Sequence, residues 1–378
     1  MSHAIALYLH VPFCRRKCNY CSFISYEYRE ADIPAYVSAL KAELVQRARG
    51  EHVRSIYFGG GTPTLLSVKQ LADILATVGS LFIVEETAEI TIEANPGMAN
   101  MSYLTGIGEL GVNRLSLGVQ SLNDAELALL GRIHTAAEAR EAVRFARGSG
   151  FNNLSIDLIY GLPGQTPGDW RKTLDEALAM EPEHLSLYSL TLETDTPMWR
   201  AIEADSLPDI DPDLSADQYE LAEDLLAAHG YGHYEISNWA RKGQECRHNL
   251  AYWQNLPYLG AGVAAHSYLD GHRFANTKSL DQYLADFSEK LPPALDMDEE
   301  ISPELQLAET VILGLRLGEG IDIKNINDRF GVDMLTHYGR QIEEMADAGL
   351  LEQTERNIRL TRRGRLLSNE VFWRFLPE

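Results

Sequence analysis

A chain of 378 residues with 45% hydrophobic content is long enough to bury a full-sized core and one smaller appended module, as an ordinary globular protein does. Its formal net charge of -22 sets up a field that repels phosphate backbones, which excludes nucleic acid as a general partner. The start, MSHAIALYLHVPFC, has no basic stretch and no small-residue cleavage site. No uncharged apolar run reaches the roughly 20 residues of a membrane helix, so a cytoplasmic chain without a transmembrane segment is expected.

The first predicted strand, IALYLHV, runs directly into Cys14-Arg-Arg-Lys-Cys18-Asn-Tyr-Cys21. Three of only four cysteines fall within eight positions, a spacing useless as a disulfide staple and suited to metal in a reducing compartment. Thiolates suit iron–sulfur clusters or zinc, and three of them satisfy three irons of a cubane while leaving one iron open. Arg15, Arg16 and Lys17 are placed to offset thiolate charge. A structural zinc site is the competing reading, but such sites are closed by four ligands, and no CxxC or HxxxH pair follows at finger spacing. Cys246 lies far along the chain and reads as an inert buried thiol.

Five more strand-like runs follow, SIYFGGG, EITIEAN, RLSLGVQ, NLSIDLIY and HLSLYSL, each after a turn and a helix-like stretch. The stretch AYVSALKAELVQRAR carries Val37, Leu40 and Leu44 on one stripe, and SVKQLADILATV has Ser67 as its N-cap. Six strand–helix units predict an α/β fold with a parallel sheet, open or partly closed as a barrel, whose ligands sit at the carboxyl ends of the strands. Those ends carry Gly60, Gly61 and Thr62 in GGGTPT, where backbone can approach a small ligand, then Glu93, Gln120 and Asp157, with Arg132 in GRIH able to pair a carboxylate. Polar groups in apolar strands are costly to bury without a partner. The glycines Gly106, Gly108 and Gly111 fit GxGxxG but precede a strand, so they are expected to close a helix.

The run KLPPALDMDEEISP, near residues 290–303, reads as a linker dividing a barrel of residues 1–290 from a second domain of residues 300–378. There Ile301, Leu305, Ala308, Ile312 and Leu315 make an apolar stripe, a second amphipathic helix ends near Gly349, and a hairpin and final helix follow. This pattern is winged-helix-like. Its arginines (356, 359, 362, 363 and 365) are read as a solvated face rather than a DNA-binding surface, given the acidic whole.

Taken together, CxxxCxxC, GGGTPT and the strand-end Glu, Gln and Asp resemble the radical S-adenosylmethionine (SAM) superfamily, whose fold is a partial (β/α)6 barrel. Within it, YLHVPFCRRKCNYCSF, EANPG, GVQS and DLIYGLPGQ look like the branch of oxygen-independent coproporphyrinogen III oxidases and their heme-chaperone relatives, over essentially the whole chain. The resemblance implies a [4Fe–4S] cluster on Cys14, Cys18 and Cys21, reduced by an electron donor and cleaving SAM to a 5′-deoxyadenosyl radical. It implies Tyr8 and Tyr20 beside SAM, Gly60, Gly61 and Thr62 at its methionine part, Glu93 and Arg132 at its charged groups, and Gln120 and Asp157 at the ribose.

Two patterns separate the branch. The oxidases resemble CxxxCxxCxC, where this chain has Phe23, and carry a longer segment ahead of the first cysteine, where only thirteen residues precede Cys14. Conversely, His248-Asn249-Leu-Ala-Tyr252-Trp253 matches the HNxxYW motif of the HemW-type heme chaperones. The implied job is heme binding, with His248 as an axial ligand, and transfer to acceptor proteins without oxidase activity. Oxidative decarboxylation of coproporphyrinogen III is the alternative.

Overall fold

The computed structural model describes residues 4–377. Six parallel strands lie in chain order across the centre of one sheet: β1 (Ile5–Val11), β2 (His52–Gly60), β3 (Ile83–Ala94), β4 (Arg114–Gln120), β5 (Leu154–Tyr160) and β6 (His184–Ser189). The helices between them are α1 (Ile33–Arg47), α2 (Val68–Leu81), α3 (Met101–Glu109), α4 (Ala136–Gly148) and α5 (Pro167–Ala179), with a shorter helix at Asp124–Leu129. Capping boxes start three of them: Ser67 with Gln70, Thr135 with Glu138, and Thr166 with Asp169. Each box satisfies backbone N–H groups that a helix start leaves free. Gly111, at φ +95°, ends the α3 segment before β4, so the three glycines of the GxGxxG run serve helix closure and packing, with Gly106 against Val68.

Along each strand the two faces differ. Leu7, Leu9, Phe58, Ile92, Leu115 and Leu117 pack into one hydrophobic cluster with the helices. The alternate residues, including Tyr8, His10, Ser55, Tyr57, Glu93, Ser116 and Asp157, hydrogen-bond among themselves inside the curve of the sheet. A period of two thus sorts apolar groups outward and polar groups inward.

The sheet is larger than the six predicted units, with twelve strands among the described residues. After helix α6 (Pro212–Ala228), β7 (Gly232–Glu235) and β8 (Asn238–Ala240) extend it beyond β6. After α7 (Arg247–Trp253), β9 (Tyr258–Ala261) joins β1 as a seventh parallel strand. The antiparallel β10 (His266–Leu269), β11 (His272–Asn276) and β12 (Leu295–Glu300) follow it outward. The two edges are not joined, so the barrel is partial. Glu43 of α1 anchors this extension: its buried carboxylate accepts from Gly262 N, Tyr283 Oη and Asn276 Nδ2, all at 2.7 Å.

Two expectations change here. Residues 295–300 of the predicted linker are strand β12, held by backbone pairing and by Arg273 Nη1 at 3.2 Å from Glu299, so its exposed acids lie along a sheet edge. Helix α8 (Pro303–Leu315) buries a broader face than the spacing predicts: Ile301, Ala308 and Leu315 are buried as expected, and further positions join them. Leu307, Val311 and Leu315 enter the C-terminal cluster, while Leu305 and Ile312 are half-buried. The reason is that α8 packs on two sides. Its Thr310 Oγ1 accepts from Asn255 Nδ2 at 2.9 Å, facing α7, while the other side meets the C-terminal core.

Beyond α8, β13 (Ile321–Asp322), helices Ile323–Phe330 and Met334–Asp347, and strands β14 (Leu351–Gln353) and β15 (Asn357–Leu360) form a winged-helix-like arrangement with a three-stranded sheet. Four of the five arginines singled out in the sequence face carboxylates, and Arg363 reaches only Ala348 O. Arg356 pairs with Asp322 at 2.8 Å and Arg359 with Glu352 at 2.5 Å. Arg362 reaches Asp224 at 2.8 Å and Arg365 reaches Glu223 at 2.7 Å, tying the module to α6.

Candidate functional site

The three cysteines leave β1 on a loop whose position is fixed from several sides. Gly61 N donates to Val11 O and Thr62 N to Phe13 O, both at 2.8 Å, locking the glycine turn after β2 onto the loop's start. Asn19 N donates to Leu130 O at 2.9 Å and its side chain to Leu129 O, also at 2.9 Å. His10 Nε2 bonds Ile24 O at 2.9 Å and steadies the loop's end. The glycines are sterically required here. A Cβ on Gly60, at φ +112°, would lie 2.5 Å from the His10 ring, and one on Gly61 would lie 2.6 Å from Phe13 O.

Cys14, Cys18 and Cys21 are free, half-buried thiols that face a cleft of about 400 Å3. The same cleft is lined by Tyr20, Gly60, Gly61, Thr62, Glu93, Gln120, Arg132 and Asp157. Eleven of the twelve residues expected around the cluster and SAM therefore converge on one space. Two of them also lie close to the cysteine sulfurs. Arg132 Nη1 is 3.2 Å from Cys18 Sγ and its Nη2 donates to Gly118 O at 2.7 Å, so this guanidinium lies directly against a cysteine sulfur. Arg16 and Lys17 also line the cleft, whereas Arg15 lines a separate surface hollow. Thr62 Oγ1 approaches Cys14 Sγ at 3.7 Å.

Tyr8 is the twelfth. Its hydroxyl bonds His10 Nδ1 at 3.0 Å and its ring stacks with Tyr57, so it supports the loop through His10 and lines a neighbouring cleft instead. His248 also lies elsewhere. Its ring is buried, Nδ1 is 3.0 Å from Ser55 Oγ, Nε2 is 3.0 Å from Tyr252 Oη, and Tyr57 packs on it at 5.0 Å between centroids. Burial, and then Arg114, push its imidazole down to about 3, so it is a neutral core group with both nitrogens committed. An axial ligand needs a free ring nitrogen, which this geometry withholds. Cys246 is buried against Glu89 at 3.5 Å, and burial pushes its thiol up to about 12.

The acids of the cleft are half-buried and hydrogen-bonded. Glu93 accepts from Tyr57 Oη at 2.8 Å and Gly60 N at 3.2 Å, yet burial pushes its carboxyl up to about 7. Asp157, also raised by burial, accepts from Ser116 Oγ at 3.0 Å and Ser155 Oγ at 3.1 Å. Gln120 sits at φ +68°, a left-handed conformation uncommon outside glycine, where β4 turns into its loop.

Sequence reasoning missed Tyr57, Arg114, Ser116, Ser155 and Ser186. The signal was present as Leu-Ser at 115–116, 154–155 and 185–186, a small hydroxyl at one step of three successive strands. Inside apolar runs, a serine on alternate positions marks the face that points away from the helices. Arg114 is buried beside the cleft, and its Nε has no hydrogen-bond partner among the described residues.

The donor set fits an iron–sulfur cluster with a small polar cofactor. Three unpaired thiols share one loop, a guanidinium lies against one sulfur, side-chain-free backbone faces the space, and Arg132 Nε is buried without a partner. Among the described residues, no three His, Cys, Asp or Glu side chains converge on a point where a single ion could sit. Cysteine loop, glycine turn and strand-end acids on a partial β/α barrel define a radical SAM protein, and residues 8–177 match the family model of the radical SAM superfamily.

Residues 301–367 match the HemN C-terminal domain. The chain is 35% identical to the heme chaperone HemW of Bacillus subtilis (98% of this chain, 99% of that one) and 37% identical to that of Lactococcus lactis (98% and 96%). It is also 35% identical to the mitochondrial radical S-adenosyl methionine domain-containing protein 1 of Bos taurus (96% and 85%). Coproporphyrinogen III oxidase (HemN) of Escherichia coli, a radical SAM enzyme, superposes with a TM-score of 0.86 at 27% identity, covering 98% of this chain and 90% of that one. The chain belongs to the HemW heme-chaperone family.

Proposed function

We propose that this protein is a heme chaperone that carries a SAM-ligated [4Fe–4S] cluster on Cys14, Cys18 and Cys21, binds heme and passes it to acceptor proteins. When bound, the cluster and SAM would supply one-electron chemistry, with the electron coming from a partner donor. The chain's own residues hold and orient. Gly60, Gly61 and Thr62 offer backbone to the methionine end, Glu93 takes its ammonium, Gln120 and Asp157 meet the ribose, and Tyr20 closes one side. Arg132 steadies the sulfur of Cys18.

The observation that carries the chaperone reading is Phe23, the exposed ring two positions beyond Cys21 at the mouth of the cleft, where the oxidase pattern has a cysteine. Full-length similarity to two bacterial heme chaperones supports it. The second reading, oxidative decarboxylation of coproporphyrinogen III, is favoured by the backbone likeness to the oxidase. One sample decides between them. Protein reconstituted anaerobically with iron and sulfide is titrated with hemin and, in parallel, assayed for coproporphyrinogen III turnover. Near-stoichiometric heme binding with no porphyrinogen product is expected, and turnover without heme binding would reverse the choice.

A further inference from the structure

Beside the cysteine loop lies a second, larger cleft of about 780 Å3, within the range of pockets that enclose cofactor-sized ligands. It opens between the ends of β1 and α7, the strands β9–β11 and Leu313 of α8. Ser22, Phe23, Gly60 and Glu93 line both clefts, so the two meet at the cysteine loop. Phe23, 67% exposed, stands where the two clefts meet.

Pairing fixes which side chains share the cleft's sheet wall. Tyr258 lies opposite Tyr268, Tyr268 opposite Arg273, and His266 opposite Ala275. Residues two apart on a strand point the same way, so His266, Tyr268 and Arg273 present to one side, and all three line the cleft. His266 is exposed, and its imidazole makes no hydrogen bond among the described residues. The other histidine of this cleft, His10, has both nitrogens engaged. Two cations stand at the rim. Lys278 has no ion pair among the described residues, and Arg273 is shared between Glu299 at 3.2 Å and Glu309 at 2.5 Å.

Resting on the heme reading above, we propose that the heme iron is bound by His266 and not His248, with the macrocycle seated in this cleft against Phe23, Tyr258 and Tyr268. Lys278 then meets a propionate carboxylate. The bond formed is a donation from an imidazole lone pair to iron, with no change in oxidation state. The arrangement sets a flat apolar dianion beside the cluster loop. It leaves His248 to brace Ser55 and Tyr252.

The test uses full-length, anaerobically reconstituted protein titrated with hemin and with iron-free protoporphyrin IX, read by visible absorption and electron paramagnetic resonance. His266→Ala is expected to abolish the imidazole-ligated heme spectrum and weaken hemin binding at least tenfold while leaving the iron-free porphyrin unaffected. His266→Cys should replace that spectrum with a thiolate-ligated one, and Lys278→Glu should weaken both porphyrins severalfold. His272→Ala, on the opposite face of the same hairpin, serves as the control. The proposal is overturned if His266→Ala keeps the wild-type heme spectrum and affinity, or if His248→Gln, with normal circular dichroism and cluster content, loses imidazole ligation. Absence of hemin binding by the wild-type protein would instead overturn the heme reading on which this one rests.

Discussion

In the cleft beneath the cysteine loop, most polar groups already have partners: Glu93 has Tyr57 and Gly60, Asp157 has two serines, and Arg132 has Cys18 and Gly118. In the cleft beside it, an apolar ring and an imidazole stand exposed, and a lysine carries no ion pair among the described residues. The first is preorganised, which suits a resident cofactor whose reactive atoms must be held still. The second is adaptable, which suits cargo that must leave again. Ser22, Phe23, Gly60 and Glu93 border both, so the two clefts share one wall at the cysteine loop.

The comparison breaks most visibly at the cysteines. Cys18→Ala is expected to abolish assembly of the four-iron cluster, read as loss of its visible absorption and of bound iron and sulfide. A full cluster in that variant would remove the basis of the site. Next comes the rigid backbone of the first cleft. Gly61→Val places new atoms against Phe13 O and the packed loop, and overpacking of this kind costs about 1–3 kcal/mol. Chemical denaturation should show that loss, and SAM affinity in calorimetry should fall more than tenfold.

Glu93 sharpens the contrast through pH. Its carboxyl, raised from 4.5 to about 7, binds more protons folded than unfolded, so stability should decline as pH rises from about 4.5 to about 7 and level off above. The shift corresponds to about 3 kcal/mol at about 1.4 kcal/mol per unit. Glu93→Gln should flatten that part of the stability–pH profile, measured without SAM, and an unchanged slope would place the titrating group elsewhere. The smallest effect belongs to the contact between the winged-helix-like module and α6. Arg365→Ala is expected to cost about 1 kcal/mol by leaving buried Glu223 with less compensation, while nucleic-acid binding stays undetectable in gel shift.

Much of the first cleft was legible because its chemistry is local in sequence. Three cysteines in eight positions, a glycine turn at one strand end and acids at the next strand ends need only the rule that parallel strands present their carboxyl ends together. What escaped notice depends on distant parts of the chain meeting. Arg132 reads as a partner for a ligand carboxylate, and only the fold shows that it also lies against Cys18, 114 positions away. Tyr8 and His248 read as ligand contacts, yet both are used within the barrel. Strand β9 escapes because Tyr-Leu-Gly-Ala is too short to show a period, and it exists by pairing with β1. His266 lies in no motif, and only strand register places it beside Tyr268 and Arg273.

Strand β12 has a consequence for how the molecule behaves in a crowd. An open sheet has two edges whose free backbone groups invite other chains to pair. Here one edge is closed from within: Gly318 N donates to Tyr234 O at 2.9 Å and Ile236 N to Arg316 O at 3.1 Å, so the chain leading out of α8 covers β7. The other edge, Leu-Asp-Met-Asp-Glu-Glu, pairs with no further strand among the described residues. Two copies approaching through it would bring two rows of carboxylates together, and that mutual repulsion keeps the sheet from growing from one molecule into the next.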